Sequence, residues 1–312
     1  LMTEFLGLAY FAEIPVVLID VQRSGPSTGM PTRSQQSDLF AAAYASHGDT
    51  KHILLFPSTP TECFDMTAMS FDLAERFQTP VIVMTDLDLG MNDHLCDPFK
   101  WDDSRRFDRG KVLTAEALDH LNEFGRYLDV DGDGVTYRTL PGTHPDKGAF
   151  FTRGSSKDEF ARYTEDGQAY VRNMKRLEKK WDTIKSNVPT SDISLDPDFN
   201  KAILYFGTTI YSAEEALDIL KEHDLHYNWI RIKSFPFGPE VIDFINRHEE
   251  IFVIEQNRDA QMRSLLINEL EVAPSKLKKV LNYDGMAITA EQISMSIKEA
   301  TIFMDHSQPE IF

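Results

Sequence analysis

The sequence predicts an α/β protein with two doubly wound, mostly parallel sheets. Apolar, β-branched runs at residues 16–21, 52–56 and 81–85 alternate with helical patterns at 36–44 and 59–77. A second alternation of the same kind occupies the last third of the chain. Because strands that alternate with helices pair in parallel and are covered on both faces, each alternation indicates a sheet of its own.

The first residues fit one face of a helix. Leu1, Phe5, Leu8 and Ala12 recur at helical spacing, and no capping residue precedes them. The run lacks a basic start and contains Glu4, so it does not resemble a secretory signal. We therefore expect the chain to begin inside a folded element, with an N-terminal portion elsewhere.

The alternation breaks over residues 92–157, where Pro, Gly, Asp and Thr become frequent. A helix is predicted near 114–127, followed by an irregular excursion over 128–152. The charged pattern of residues 158–185 then predicts a long, mostly solvated helix that links two bodies.

The second alternation predicts a smaller domain. Its expected strands are 202–207, 228–233, 251–255 and 279–283, and its expected helices are 213–223, 239–247, 260–271 and 290–301. Capping boxes mark two helix starts in the chain, Thr59 with Glu62 and Ser212 with Glu215. The chain accordingly divides into a first domain at 1–110, an excursion with a linking helix at 111–195, and a second domain at 196–312.

Charge and cysteine usage exclude several classes of function. The 32 Lys and Arg against 50 Asp and Glu give a net charge of -18, which repels nucleic acid and anionic membrane surfaces. No apolar run reaches the roughly 18 residues that cross a bilayer. The two cysteines, Cys63 and Cys96, cannot supply a four-thiolate cluster, so we expect a reduced, cytoplasmic protein.

The most unusual stretch is residues 20–36, in which Asp20 is the only acid; its part beyond the first predicted strand, residues 22–36, is here called the arginine loop. It contains two Arg, two Gly, two Pro and five Ser or Thr residues. Ligands of open parallel sheets bind beyond the carboxyl ends of strands, and arginine forks with hydroxyl and backbone N–H donors suit an anion. The loop indicates a pocket for a small carboxylate or phosphate; the alternative is a rigid polar turn. Its glycines lack the spacing of a nucleotide-binding loop.

Two further stretches allow a functional or a structural interpretation. His47 could titrate near a substrate, or it could be the last residue of a helix that Gly48 terminates. Residues 255–263 follow a strand and open a helix, so they could face a ligand or a subunit. In the alternative interpretation they form an ordinary turn with Asp259 as the N-cap.

The acidic stretch at residues 129–134 resembles two kinds of cation site. As a calcium loop it lacks the twelfth-position acid, because Leu140 stands there. As the magnesium anchor of a thiamine diphosphate site it would need an Asn-rich segment near 159–163, which is missing. An acidic turn is the interpretation that remains, and we expect no metal ligand set in the chain. Nucleophilic hydrolysis has no support, since no G-x-S-x-G elbow occurs.

The arginine loop carries a family resemblance. Its run Gln22-Arg23-Ser24-Gly25-Pro26-Ser27-Thr28-Gly29-Met30-Pro31-Thr32-Arg33 resembles the signature of the α subunit of 2-oxoacid:ferredoxin oxidoreductases, closest to the bacterial 2-oxoglutarate type. Supporting matches lie at 46–52, 57–62, 131–134 with 140–143, and 255–258.

The resemblance implies a division of labour between subunits. Residues 1–110 would be the C-terminal part of a pyrimidine-binding thiamine diphosphate domain, incomplete here, and 196–312 a transketolase C-terminal-like domain. The cofactor would be shared with a β subunit that holds Mg²⁺ and a [4Fe–4S] cluster, in a dimer of αβ heterodimers. The enzyme would oxidise 2-oxoglutarate to succinyl-CoA and CO₂ with coenzyme A and ferredoxin, or fix CO₂ in reverse. Alternatives are a pyruvate or broad 2-oxoacid enzyme, or a noncatalytic assembly or dimerisation subunit.

The resemblance also assigns site residues. Arg23 would pair with the carboxylate of the 2-oxoacid, and Thr32 would donate a hydrogen bond near it. Ser27, Thr28 and Arg33 are further substrate-binding candidates without a defined role, and His47 is a candidate catalytic group. The family's Tyr-Pro-Ile-Thr-Pro stretch and the Glu that activates the aminopyrimidine have no match in this sequence, so we expect this chain to be inactive by itself.

Overall fold

Two sheets organise residues 3–152 and 154–305, the part of the chain that the computed structural model describes. The strands are β1 (Val16–Gln22), β2 (Ile53–Leu55), β3 (Pro80–Asp86), β4 (Asp192–Ser194), β5 (Lys201–Phe206), β6 (Asn228–Ile232), β7 (Ser234–Phe235), β8 (Glu250–Glu255) and β9 (Leu277–Leu281). The helices are α1 (Thr3–Ala12), α2 (Leu39–Ala43), α3 (Pro60–Phe77), α4 (Leu87–Met91), α5 (Ala115–Asp119), α6 (Gly167–Lys185), α7 (Ile210–Lys221), α8 (Pro239–Arg247), α9 (Gln261–Leu270) and α10 (Ala290–Asp305).

Both sheets are mostly parallel. The first has the order β1-β3-β2-β7, and the second has the order β4-β6-β5-β8-β9. Only β7 and β4 pair antiparallel with their neighbours among the described strands. Since β7 comes from the second half of the chain, it joins the two bodies by main-chain hydrogen bonds. The predicted fold class is confirmed.

The apolar character of the strands follows from their position in the sheets. All residues of β2 and all of β8 are buried, because neighbouring strands and helices cover both faces. β1 is different: it lies at the edge of its sheet, and Ile19 and Val21 remain 55% and 46% exposed. The prediction of a buried strand therefore holds for residues 52–56 and is wrong for 16–21.

Local capping signals were reliable at one of the two predicted boxes. Thr59 Oγ1 accepts a hydrogen bond from Glu62 N at 3.2 Å, and Ser58 N donates to the Glu62 carboxylate at 2.8 Å. The second box is wrong, because α7 begins at Ile210 and the hydroxyl of Ser212 donates instead to Ile288 O at 2.7 Å. A contact distant in sequence thus takes the hydroxyl that the local pattern assigns to a cap.

Two helices differ in extent from their predictions. The helix predicted near 114–127 ends at Asp119, and the chain then turns so that Arg126 donates to Glu13 O at 2.8 Å. α6 begins at Gly167 rather than 158, because the Asp166 carboxylate caps it by accepting from Ala169 N at 2.8 Å. α6 is also less solvated than expected, since it buries side chains along one face; these are Ala169, Arg176, Lys180, Trp181 and Ile184.

Among the remaining predictions, the one for the first helix is wrong in part and the one for the excursion is confirmed. In α1 the buried positions are Leu6, Ala9 and Ala12, whereas Phe5 is 76% exposed, so the predicted apolar stripe is wrong. Leu1 lies outside the described residues. Residues 128–152 are irregular as predicted, apart from a single bridge between Val112 and Arg138. No helix in the described ranges is long and apolar enough to cross a membrane.

Candidate functional site

The arginine loop closes on itself at the carboxyl end of β1. Ser24 N donates to Arg33 O at 2.9 Å, and Met30 N donates to Ser24 O at 2.8 Å. Gly29 has a φ of 59°, and a Cβ at this position would lie 1.6 Å from Ser24 O. Only glycine fits at this position, so the loop needs Gly29 in order to close.

The returning half of the loop is attached to the second body. Ser34 N donates to Gly285 O at 3.1 Å, and Gln36 N donates to Gln256 O at 2.8 Å. Asn257 Nδ2 completes the attachment by donating to Gln36 O at 3.0 Å. The polar residues after β8 therefore hold the arginine loop in place. The interpretation of residues 255–263 as an ordinary turn did not include this contact.

A buried polar network lies beneath this attachment. Gln36 Nε2 lies 3.3 Å from Asp86 Oδ2 and 3.4 Å from Thr208 Oγ1, and the Thr208 hydroxyl donates to Asp86 Oδ2 at 2.5 Å. Burial raises the pKa of Asp86, and the hydrogen bonds oppose that rise. Sequence reasoning assigned no role to any of the three; the available signal was that Gln36 ends the arginine loop and that Asp86 and Thr208 directly follow predicted strands.

The loop after β8 has a structural role that differs from its prediction. Asp259 is not an N-cap, because α9 begins after Ala260, which has a left-handed φ of 52°. Glu255, fully buried, caps the helix instead by accepting from Met262 N at 2.7 Å and Arg263 N at 2.9 Å. Asp259 is left free to pair with Arg258 at the surface.

A cleft of about 650 Å³ opens between the arginine loop, the start of α2 and the loop after β8. Its wall includes Asp20, Arg23, Ser27, Asp38, Arg258 and Tyr283. Since β1 and β8 both end here, the cleft occupies the edge at which open α/β sheets bind ligands.

Arg23 is the charged group in this cleft that a ligand can engage most directly. Its side chain is half-buried, and no hydrogen bond or ion pair reaches it from the part of the chain that the structure describes. Arg258 is different: it is 72% exposed, and its Nε lies 2.7 Å from Asp259 Oδ1. An unpaired, half-buried guanidinium retains its planar fork for a carboxylate.

Two carboxylates in the same wall also lack partners. Within the described residues no donor reaches the side chain of Asp20 or of Asp38, although Asp38 stands at the N-cap position of α2. Burial, together with repulsion from Asp38, raises the pKa of Asp20 to about 6. Burial also raises the pKa of Asp38.

The predicted substrate-binding residues separate into two groups. Arg23 and Ser27 line the cleft, whereas Thr28, Thr32 and Arg33 are exposed loop residues outside its wall. Arg33 Nη1 contacts both the carbonyl of Thr32 at 3.1 Å and its hydroxyl at 3.4 Å.

His47 does not join these residues. α2 runs away from the cleft beside α9: Phe40 N donates to Gln261 Oε1 at the start of α9, and the Tyr44 hydroxyl donates to Glu269 near its end. His47 follows α2 and is exposed near the amino end of β2. The alternative, a helix that Gly48 terminates, is wrong, because α2 ends at Ala43.

The acidic turn at residues 129–134 satisfies its own carboxylates. Lys111 Nζ lies 2.7 Å from Asp131 and 2.8 Å from Asp133, and Asp129 accepts from Gly132 N at 2.8 Å. The structure thus agrees with an acidic turn. Residues 3–152 and 154–305 contain no group of three or more His, Cys, Asp or Glu side chains that could hold a metal ion.

Comparisons with known proteins agree with the resemblance carried by the arginine loop. Residues 1–101 match the family model described as pyruvate flavodoxin/ferredoxin oxidoreductase, thiamine diphosphate-binding. The α subunit of 2-oxoacid:ferredoxin oxidoreductase 2 from Aeropyrum pernix is 29% identical over 304 residues. The 2-oxoglutarate synthase subunit KorA from Methanothermobacter thermautotrophicus is 30% identical over 267 residues.

A solved structure has the same fold over nearly the whole chain. The 2-oxoglutarate:ferredoxin oxidoreductase from Magnetococcus marinus, with 2-oxoglutarate, coenzyme A and succinyl-CoA bound, matches with a TM-score of 0.84 and 25% identity. That match covers 96% of this chain and 50% of the solved one. The two sequence matches cover 96% and 82% of this chain, but only 46% and 66% of the relatives. The chain is a homologue of the α subunits of 2-oxoacid:ferredoxin oxidoreductases, and the predicted resemblance is confirmed.

Proposed function

We propose that this chain binds the 2-oxoacid in a thiamine diphosphate-dependent, coenzyme A-acylating oxidoreductase. The reaction is the oxidative decarboxylation of 2-oxoglutarate to succinyl-CoA and CO₂, with ferredoxin as the electron acceptor. The observation that carries this proposal is the unpaired, half-buried Arg23 in the cleft at the carboxyl ends of β1 and β8.

The surroundings of Arg23 support carboxylate binding. The loop that holds Arg23 is closed by Ser24 and Gly29 and attached to the second body, so the backbone that carries the guanidinium is fixed before a ligand arrives. Prepositioned charge lowers the entropic cost of binding. Ser27 in the wall adds a hydroxyl donor, and we retain Thr32 as a candidate from the loop rim.

The residues of this chain fit the oxoacid better than the diphosphate end of the cofactor. Thiamine diphosphate supplies the carbanion-stabilising chemistry of such an enzyme. The Gly132-Asp133-Gly134 turn does not fit a magnesium–diphosphate anchor, because the ammonium group of Lys111 already pairs with both Asp131 and Asp133. We infer that a β subunit holds the diphosphate, Mg²⁺ and the [4Fe–4S] cluster, in a dimer of αβ heterodimers.

Two parts of the sequence-based assignment stay predictions. The domain division at 1–110, 111–195 and 196–312 is one of them, together with the transketolase-like character of the last domain. The cytoplasmic location is the other.

The test uses the α subunit at its natural length, co-purified with its partner. Coenzyme A-dependent reduction of an artificial one-electron acceptor is followed with 2-oxoglutarate and, in parallel, with pyruvate. We expect reduction with 2-oxoglutarate. Equal or faster reduction with pyruvate would retain the reaction and replace the substrate by pyruvate or a broad range of 2-oxoacids, which the names of the Aeropyrum relatives allow. No reduction with either, from a preparation that contains thiamine and an intact cluster, would favour a noncatalytic assembly subunit.

A further inference from the structure

The cleft proposed for an anionic substrate contains more negative than positive side chains. Arg23 and Arg258 contribute two positive charges, whereas Asp20, Asp38 and Asp259 contribute three carboxylates. Asp259 is neutralised by its pair with Arg258. What remains to face a ligand beside Arg23 is therefore the pair Asp20 and Asp38.

No hydrogen bond or ion pair from the described residues engages these two carboxylates, so they do not serve to hold the fold together. Asp38 N donates to Gln22 Oε1 at 3.2 Å, but its carboxylate makes no cap on α2. Asp20 lies two residues before Gln22 on β1, and the charges of Asp20 and Asp38 repel each other. Both are half-buried in the wall of the cleft that Arg23 also lines, and an oxoacid bound there would face them.

We propose that Asp20, with Asp38 beside it, selects the 2-oxoacid by charge. A protonated Asp20 admits the dianion of 2-oxoglutarate, and an ionised Asp20 disfavours that dianion relative to the monoanion of pyruvate. This inference rests on the proposed function, since it needs Arg23 to hold the carboxylate shared by all 2-oxoacids. The second carboxylate of 2-oxoglutarate is the group that experiences the repulsion.

The surrounding groups allow this proton to be gained or lost near neutral pH. Burial and Asp38 hold the pKa of Asp20 at about 6. The other charged or titratable groups of the wall are Arg23, Arg258, Asp259 and Tyr283. Asp20 therefore completes the loss of its proton between about pH 6 and pH 8, a range in which both oxoacids keep constant charge.

The experiment measures kcat/KM for 2-oxoglutarate and for pyruvate with the co-purified complex, at about pH 6 and about pH 8. In the parent complex, the ratio of the two values is expected to fall about threefold as pH rises, because Asp20 is already half ionised at pH 6 and its full ionisation is worth about fivefold, the effect of unit charges a few ångströms apart in a water-like dielectric. Asp20→Asn should keep the ratio at its acidic value at both pH values. Asp49→Asn is the matched control, because it removes the same charge from an exposed site near His47.

A second variant keeps the proposal testable if Asp20→Asn does not fold. Asp38→Asn removes the neighbouring charge, so the midpoint of the fall in the ratio should move to lower pH. A ratio that is independent of pH in an active parent complex, or that changes equally in Asp20→Asn and Asp49→Asn, would overturn this inference alone. A parent complex inactive on both oxoacids would overturn the proposed function with it.

Discussion

Two arginines of this chain stand in opposite situations, and the contrast separates charge that the fold itself satisfies from charge that it leaves available. Arg176 on α6 is buried, and its Nη1 lies 3.0 Å from Glu13 Oε2 and 3.0 Å from Gly134 O. Arg23 in the cleft is half-buried and has no partner among the described residues. A buried fork that the chain itself satisfies stabilises the fold, whereas an unsatisfied one at a sheet edge is available to a ligand.

Arg176 belongs to a buried group around one carboxylate that we call the Glu13 cluster: Glu13, Arg126, Lys157, Arg176 and Lys180. Burial alone would raise the pKa of Glu13, but Arg176 and Lys180 outweigh it and hold that pKa well below its usual range. The excess of cations has a local reason, because Lys157 and Arg126 donate to the carbonyls of Phe11 and Glu13 at the end of α1. Free carbonyls and the helix dipole at that end favour positive charge.

The largest effect is expected from a substitution that removes the carboxylate partner of Arg176. Glu13→Gln would leave Arg176 and Lys180 buried without their carboxylate, and removal of one partner from a buried ion pair costs about 3–5 kcal/mol. The measurement is the free energy of unfolding by denaturant. The control is Glu4→Gln on the exposed start of α1, which should change stability little.

The pH dependence of the same pair provides an independent check. Because the pKa of Glu13 is depressed by folding, its contribution is fully present above the unfolded value of about 4.3 and is lost as pH falls below it. The parent chain should therefore lose stability on acidification more steeply than Glu13→Gln. Equal acid sensitivity of the two proteins would contradict the role of this pair.

The second effect concerns catalysis rather than folding. Arg23→Ala should lower kcat/KM for the oxoacid about a hundredfold or more, the loss expected when a charged contact to a substrate carboxylate is removed. The unfolding temperature should stay close to that of the parent, since Arg23 satisfies no group in the described fold. Arg247→Ala, at the exposed end of α8, is the matched control. Unchanged kinetics in Arg23→Ala would remove the basis of the proposed site.

The smallest expected effect is on stability and concerns Asp20, the carboxylate that lines the same cleft as Arg23. The raised pKa of Asp20 means that its ionised form destabilises the folded chain, and this cost is fully present only above about pH 6. Asp20→Asn should therefore raise the unfolding temperature above that pH by about 2 °C, while the difference disappears in acid. Thermal unfolding at both pH values tests this. A lower unfolding temperature for the variant at high pH would mean that Asp20 makes a stabilising contact.

Local patterns predicted much of the fold and part of the site. The strands in the middle of both sheets and the Thr59 cap follow from residues close together in sequence. The early end of α5 and the use of Ser212 by Ile288 depend on contacts formed only after the chain folds. The arginine loop could be singled out because it reverses the charge of an acidic chain, and the choice of Arg23 within it rests on the family resemblance and stays a prediction. The network of Gln36, Asp86 and Thr208 could not, because it joins three distant segments.

The crossing of β7 into the first sheet limits how this molecule can move. Leu54 pairs with Phe235 and Leu55 with Ser234, and Phe56 N donates to Lys233 O at 2.9 Å. Phe235 is fully buried, so a hinge between the bodies would have to expose an aromatic ring and break these main-chain bonds. Such a hinge is costly compared with the motion of a surface loop. We therefore expect the cleft to keep its width, with a ligand entering and leaving through its open mouth.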